Sequence, residues 1–99
     1  MSTENKMFAS LPPSYLPELR REAWGRLFGL GIREARKGAG LSIEQAARLA
    51  GIEVSEWTAI EDGYVPQDQN RLRAMAAAME IRFDRIAMLV LLCREAWEL

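Results

Sequence analysis

Cys93 is the one thiol in this chain, and there is no histidine at all. A lone cysteine forms no internal disulfide. Without histidine it lacks both the common metal co-ligand and the common general base. No glycine run has the spacing that cradles phosphate, and no nucleophile stands in a pattern with a base. The chain is therefore not expected to be an enzyme, and no metal or cofactor is expected. Cys93 reads as a small buried helix residue. What remains is the chemistry of recognition, carried by charge and by hydrogen-bonding side chains.

The charges are unevenly placed. Between Ser42 and Asp68 there is one basic residue, Arg48, against six acids: Glu44, Glu53, Glu56, Glu61, Asp62 and Asp68. Between Glu18 and Lys37 the balance reverses, with Arg20, Arg21, Arg26, Arg33, Arg36 and Lys37 against Glu18, Glu22 and Glu34. Arg71 and Arg73 open the next apolar-periodic segment, and Arg82 and Arg85 flank the one after. The plain reading of the first basic run is a solvated helix surface with local pairs such as Glu18–Arg21 and Glu22–Arg26.

The elements that must position these groups are organised around Leu41–Gly63, LSIEQAARLAGIEVSEWTAIEDG. It reads as two short helices joined by a tight turn. Ser42 can cap the first, with Gln45 placed to reach back to it. Ala46, Ala47, Leu49 and Ala50 give an apolar face rich in small residues, which lets a second helix come close. Gly51 ends that helix in a left-handed conformation. Ile52 plugs the turn, Trp57 and Ile60 point inward, and Gly63 stops the second helix.

On the N-terminal side, Pro13 and Pro17 restrict the residues before them, so Leu11–Pro17 is expected to be extended, laying Leu11, Tyr15 and Leu16 on the domain. Pro17 suits a helix start, and Glu18 and Glu22 favour its positive end. Leu19, Ala23, Leu27 and Leu30 form one apolar line, with Trp24 and Phe28 beside it. Gly29 and Gly31 interrupt the run, which predicts either a kink or two helices, 17–28 and 30–37. On the C-terminal side, Asp68 can cap a helix carrying Leu72, Met75, Ala76 and Met79. The final helix is apolar on most sides and must be covered on most sides. A second copy is the expected cover, through Ile86, Leu89, Val90, Cys93 and Trp97; the N-terminal arm folded back is the other candidate.

Ninety-nine residues suffice for one ordinary domain and not for two. Residues 1–16 are expected to be a disordered or extended arm. Residues 17–99 are expected to form a single helical domain, with its paired helices at 42–63 and the C-terminal helix at 84–97. No stretch approaches the roughly 20 apolar residues that span a bilayer, so no membrane partner is expected. No basic-then-apolar signal pattern opens the chain, so it is expected to stay in the cytoplasm.

The Ser42 start, the Ala46-Ala47 face, the Gly51 turn and the Glu61-Asp62-Gly63 ending together resemble the Cro/repressor-type (Xre-like) helix-turn-helix family. Ile32-Arg33-Glu34-Ala35-Arg36 is similar to the segment that closes that family's first helix, and the likeness runs to about Ile81. It implies an all-α, five-helix Cro/repressor-like bundle, here with an N-terminal arm and helix extension, from a bacterium, phage or mobile element. It implies an ion pair between Arg36 and Glu61, fastening the first helix to the end of the third. It implies double-stranded DNA as partner, with Val54, Ser55, Glu56, Thr58 and Ala59 on the base-reading side and Arg33, Lys37, Arg48, Arg71 and Arg73 as phosphate contacts. A homodimer on a near-palindromic site follows, and with it a nucleoid association. Two features depart from the pattern. Ile43 stands where the family commonly has Gln, and the motif is acidic where a polyanion would lie. The competing reading is a protein-interaction module, an anti-activator or co-regulator, whose acidic motif face binds a basic protein partner; an exposed Trp57 or Trp97 would then be an anchor.

Overall fold

Residues 15–98 of the chain, described by a computed structural model whose side chains cover 18–88, 90 and 91, fold as five helices with no strand among them. Helix α1 spans Tyr15–Gly38, α2 Ile43–Ala50, α3 Val54–Glu61, α4 Gln69–Ala78 and α5 Phe83–Glu98. The long α1 packs along α5 on one side and against α3 on another, while α2 bridges α3 and α4. One apolar core joins them, with Phe28 and Ile32 from α1, Ala46 and Ala47 from α2, Trp57 and Ile60 from α3, Leu72, Met75 and Ala76 from α4, and Ile86 and Val90 from α5.

Helix α1 differs from expectation in two ways. It already includes Tyr15, Leu16 and Pro17, so the extended arm does not reach Pro17. A proline in the first helical turn breaks no intrahelical bond, because the first N–H groups have no acceptor there. The expected contacts of Leu11 lie outside the described residues. Second, α1 is one continuous helix of 24 residues, which excludes the two-helix alternative of the expected kink or break. Gly29 does not interrupt it; its missing side chain is used sideways. A β-carbon there would lie 2.4 Å from the Glu61 carbonyl oxygen and 2.6 Å from that of Ile60. One turn earlier, a β-carbon on Gly25 would lie 2.4 Å from the Gly63 carbonyl oxygen. The buried face of α1 is Gly25, Phe28, Gly29, Ile32 and Arg36. The line of Leu19, Leu27 and Leu30 points the other way, at 40, 53 and 50% exposure. The local pairs Glu18–Arg21 and Glu22–Arg26 do not form among the described residues.

The α2 boundaries follow the chemistry of their caps. The Gln45 N–H donates to Ser42 Oγ at 3.1 Å, and the Ser42 N–H donates to Gln45 Oε1 at 2.8 Å. This reciprocal box satisfies two otherwise orphaned donors. At the other end Gly51 sits at φ 70°, and the Ile52 N–H reaches the Ala47 carbonyl at 3.0 Å. Asp68 caps α4 through the Asn70 N–H at 2.9 Å. Replacing Ser42 with Ala should lower stability by about 1 kcal/mol, measured by urea unfolding. Gln45→Ala should cost less, because the bond from the residue 45 N–H to Ser42 Oγ stays in place.

The apolar α5 is covered in part by its own chain. Ile86 and Val90 are buried in the core cluster that holds Phe28 and Ile32, whereas Met88 and Leu91 are exposed. The side chains of Leu89, Cys93 and Trp97, expected at a dimer seam, lie outside the described residues.

Candidate nucleic-acid interface

Helix α3 is two-sided. Trp57, Ile60 and Glu61 are buried on one side, while Val54, Ser55, Thr58 and Ala59 are exposed on the other. The spacing makes this so: 57, 60 and 61 recur at the three-and-four interval of one helix face. The Thr58 hydroxyl donates to the Val54 carbonyl at 2.9 Å, which commits its proton to the helix and leaves its oxygen as an acceptor. Glu56 is partly buried and bonded to Arg71 of α4. It is therefore not a free acceptor for a base, and Arg71 is not a free cation.

Behind this surface a polar network locks α3 to α1. Arg36 Nε donates to Glu61 Oε2 at 2.6 Å and Arg36 Nη2 to Glu61 Oε1 at 3.0 Å, a two-pronged pairing. Arg36 Nη1 donates to the Leu41 carbonyl at 2.9 Å, tying in the loop before α2. Trp57 Nε1 donates to Glu61 Oε2 at 2.6 Å and Arg33 Nε to Oε1 at 3.3 Å. The Glu61 carboxylate thus accepts four bonds, with its side chain 2% exposed. Burial alone would push its carboxyl up. The bonds from Arg36, Trp57 and Arg33, with the Arg36 charge, outweigh that and hold it below the ordinary carboxylate value. Arg36 is shifted further up by its bond to Glu61, against the opposing effect of burial.

The positions expected to contact phosphate divide into two groups. Lys37 and Arg48 are exposed and make no ion pair among the described residues. Arg33, Arg71 and Arg73 are engaged within the fold, the last with its guanidinium 4.2 Å from the centre of the Phe83 ring. The acidic excess of the motif is smaller at its surface than in its sequence. Glu61 is buried and paired and Glu56 is bonded to Arg71, leaving Glu44, Glu53, Asp62 and Asp68 exposed, with Arg48 also exposed.

Three of these features were not read from the sequence. The Trp57–Glu61 bond was available as a four-residue spacing on one helix face. The Arg71–Glu56 and Arg33–Glu61 pairs join separate helices and carry no local signal. Trp57 itself is completely buried, so it is unavailable as an anchor for a partner.

A family model for a helix-turn-helix domain matches residues 27–84, more than half of the chain. The match begins midway along α1 and takes in α2, α3, α4 and the start of α5. No curated protein and no solved structure matches the chain. The capped α2, the left-handed turn at Gly51 and the two-sided α3 are the parts such a motif requires. The chain belongs to the helix-turn-helix domain family, which is consistent with its Cro/Xre-type pattern and points to a DNA-binding regulator.

Proposed function

We propose that this protein is a sequence-specific DNA-binding transcriptional regulator that acts as a homodimer on a near-palindromic site. The observation that carries the reading is the outward face of α3. Val54, Ser55, Thr58 and Ala59 stand free on a helix whose other side is fixed by Trp57, Ile60 and the Arg36–Glu61 pair. A helix held that firmly can be laid in a major groove without rearrangement. Ser55 can bond to a base edge and Val54 can meet a thymine methyl. Lys37 and Arg48 supply phosphate contacts, joined by Arg33 and Arg71 where phosphate competes with Glu61 and Glu56. No helix among the described residues is long and apolar enough to cross a membrane. We place the protein in the cytoplasm, at the nucleoid.

The test is a random-duplex selection followed by titration across a salt series. The expected result is selective binding that weakens steeply with salt. Arg48→Ala should weaken binding to all sequences alike and lower the salt slope by about 1, as for a phosphate contact. Ser55→Ala should relax specificity at one position instead.

A second reading is favoured by the exposed acids Glu44, Glu53 and Asp62 around α2 and α3, with Leu49 and Val54 exposed among them. That surface suits a basic protein partner. A folded protein that binds no duplex even at low salt would select this reading.

A further inference from the structure

We propose that the outer face of α1 is a self-association seam, on which a second copy lays its own α1 antiparallel. The inference rests on the dimeric part of the function above and is independent of its DNA part. Helix α1 is apolar on two opposite sides. Phe28 and Ile32 face the core, while Leu19, Ala23, Leu27 and Leu30 run along the solvent side and line an open groove of about 360 Å³. An apolar line at intervals of four, four and three residues is the pattern of a helix–helix seam. A contiguous exposed apolar line of this kind marks an interaction surface.

Charge selects the occupant. Glu22 and Arg26 line the same groove, one turn apart, yet they form no ion pair with each other or with any described residue. In an antiparallel pair with its twofold axis near Trp24, Glu22 of each copy faces Arg26 of the other. The same register sets Leu19 opposite Leu30 and puts the small Ala23 near the centre, where two helices approach most closely. The patch is thus complementary to itself, as a twofold interface requires. The seam lies on the side of α1 away from α3, so it leaves Ser55 and its neighbours uncovered. The seam spans only about 18 Å of helix, which makes the association weak and concentration-dependent.

Sedimentation equilibrium of the full chain from about 1 to 300 µM, without DNA, tests this. The expected result is a monomer–dimer equilibrium that Leu27→Glu weakens at least about 100-fold, with helicity by circular dichroism unchanged, since two half-exposed leucines are lost per dimer. Glu22→Arg and Arg26→Glu should each weaken the dimer about 5- to 10-fold, and the double exchange should restore it. A dimer broken by Met88→Glu or Leu91→Glu but not by Leu27→Glu would overturn the α1 seam and keep the dimeric reading. A monomer at every concentration would overturn both, and leave the DNA reading to its own titration.

Discussion

Glu61→Ala is expected to remove about 3–5 kcal/mol of stability, the range found when one partner of a buried ion pair is deleted. A domain of this size has about 5–15 kcal/mol in all, so the variant should sit near the edge of folding. The size of the effect follows from what is left behind. Arg36 would keep only its bond to the Leu41 carbonyl, and the Trp57 indole N–H would be buried without an acceptor. Arg36→Ala should cost less, because Arg33 and Trp57 still bond to Glu61. Arg36→Lys should behave more like the alanine variant than a conservative change, since an ammonium cannot span both carboxylate oxygens and Leu41 together. The check is urea unfolding, with melting temperature falling by roughly 15–30 °C for Glu61→Ala. A loss below about 1 kcal/mol would mean that the network is a weak surface pair, contrary to its burial.

The same network sets an acid limit. The folded Glu61 carboxyl is depressed, so it stays ionised at a pH where the unfolded chain has begun to take up a proton, near the ordinary value of 4.5. Its contribution is therefore complete above that value. It is lost as the pH falls further, toward and through the folded value. Glu61→Gln should lower stability at neutral pH and flatten the decline in this acid window. An unchanged slope would assign the acid limit to other carboxylates.

The legibility of this chain in its sequence tracks the range of each interaction. Caps and turns were legible because their partners lie within a few residues: Ser42 with Gln45, Gly51 at the turn, Asp68 at the start of α4. The inward face of α3 was legible from the spacing of Trp57 and Ile60. The Arg36–Glu61 pair spans 25 positions and came from family resemblance rather than from any local signal. Helix α1 was legible only in part, because two faces compete. Leu19, Ala23, Leu27 and Leu30 make the stronger apolar line, and sequence periodicity cannot say which of two apolar lines meets the core. The deciding residues were glycines, which carry no hydrophobic signal but permit the closest approach. The candidate DNA surface was legible as positions and not as charge, because Arg71 and Glu56 cancel across helices that the sequence separates.

Gly29→Ala is the second large effect, and its sign separates two accounts of why a glycine lies mid-helix. If Gly29 were there to let α1 bend, alanine should stabilise by about 1 kcal/mol through helix propensity. The structure predicts the reverse. The new methyl would sit 2.4, 2.6 and 2.8 Å from the Glu61 oxygen, the Ile60 oxygen and the Glu61 carbonyl carbon, all of them backbone. No rotamer change relieves contacts to backbone, so α1 and α3 must separate by most of an ångström. That separation also stretches the 2.6 and 3.0 Å bonds between Arg36 and Glu61. A net loss of about 2–3 kcal/mol is expected, near the upper end for overpacking after the propensity gain is subtracted. Gly25→Ala should act in the same direction, because its methyl meets the Gly63 oxygen. The double variant should cost less than the sum, since one separation relieves both overlaps. Gly38 supplies the control within the same helix. A β-carbon there meets nothing within 4 Å, so Gly38→Ala should stabilise by about 0.5–1 kcal/mol. Urea unfolding of the three single variants decides the matter. Opposite signs at 29 and 38 identify close helix approach as the reason for Gly29, and a stabilising Gly29→Ala would show that α1 and α3 do not pack at this distance.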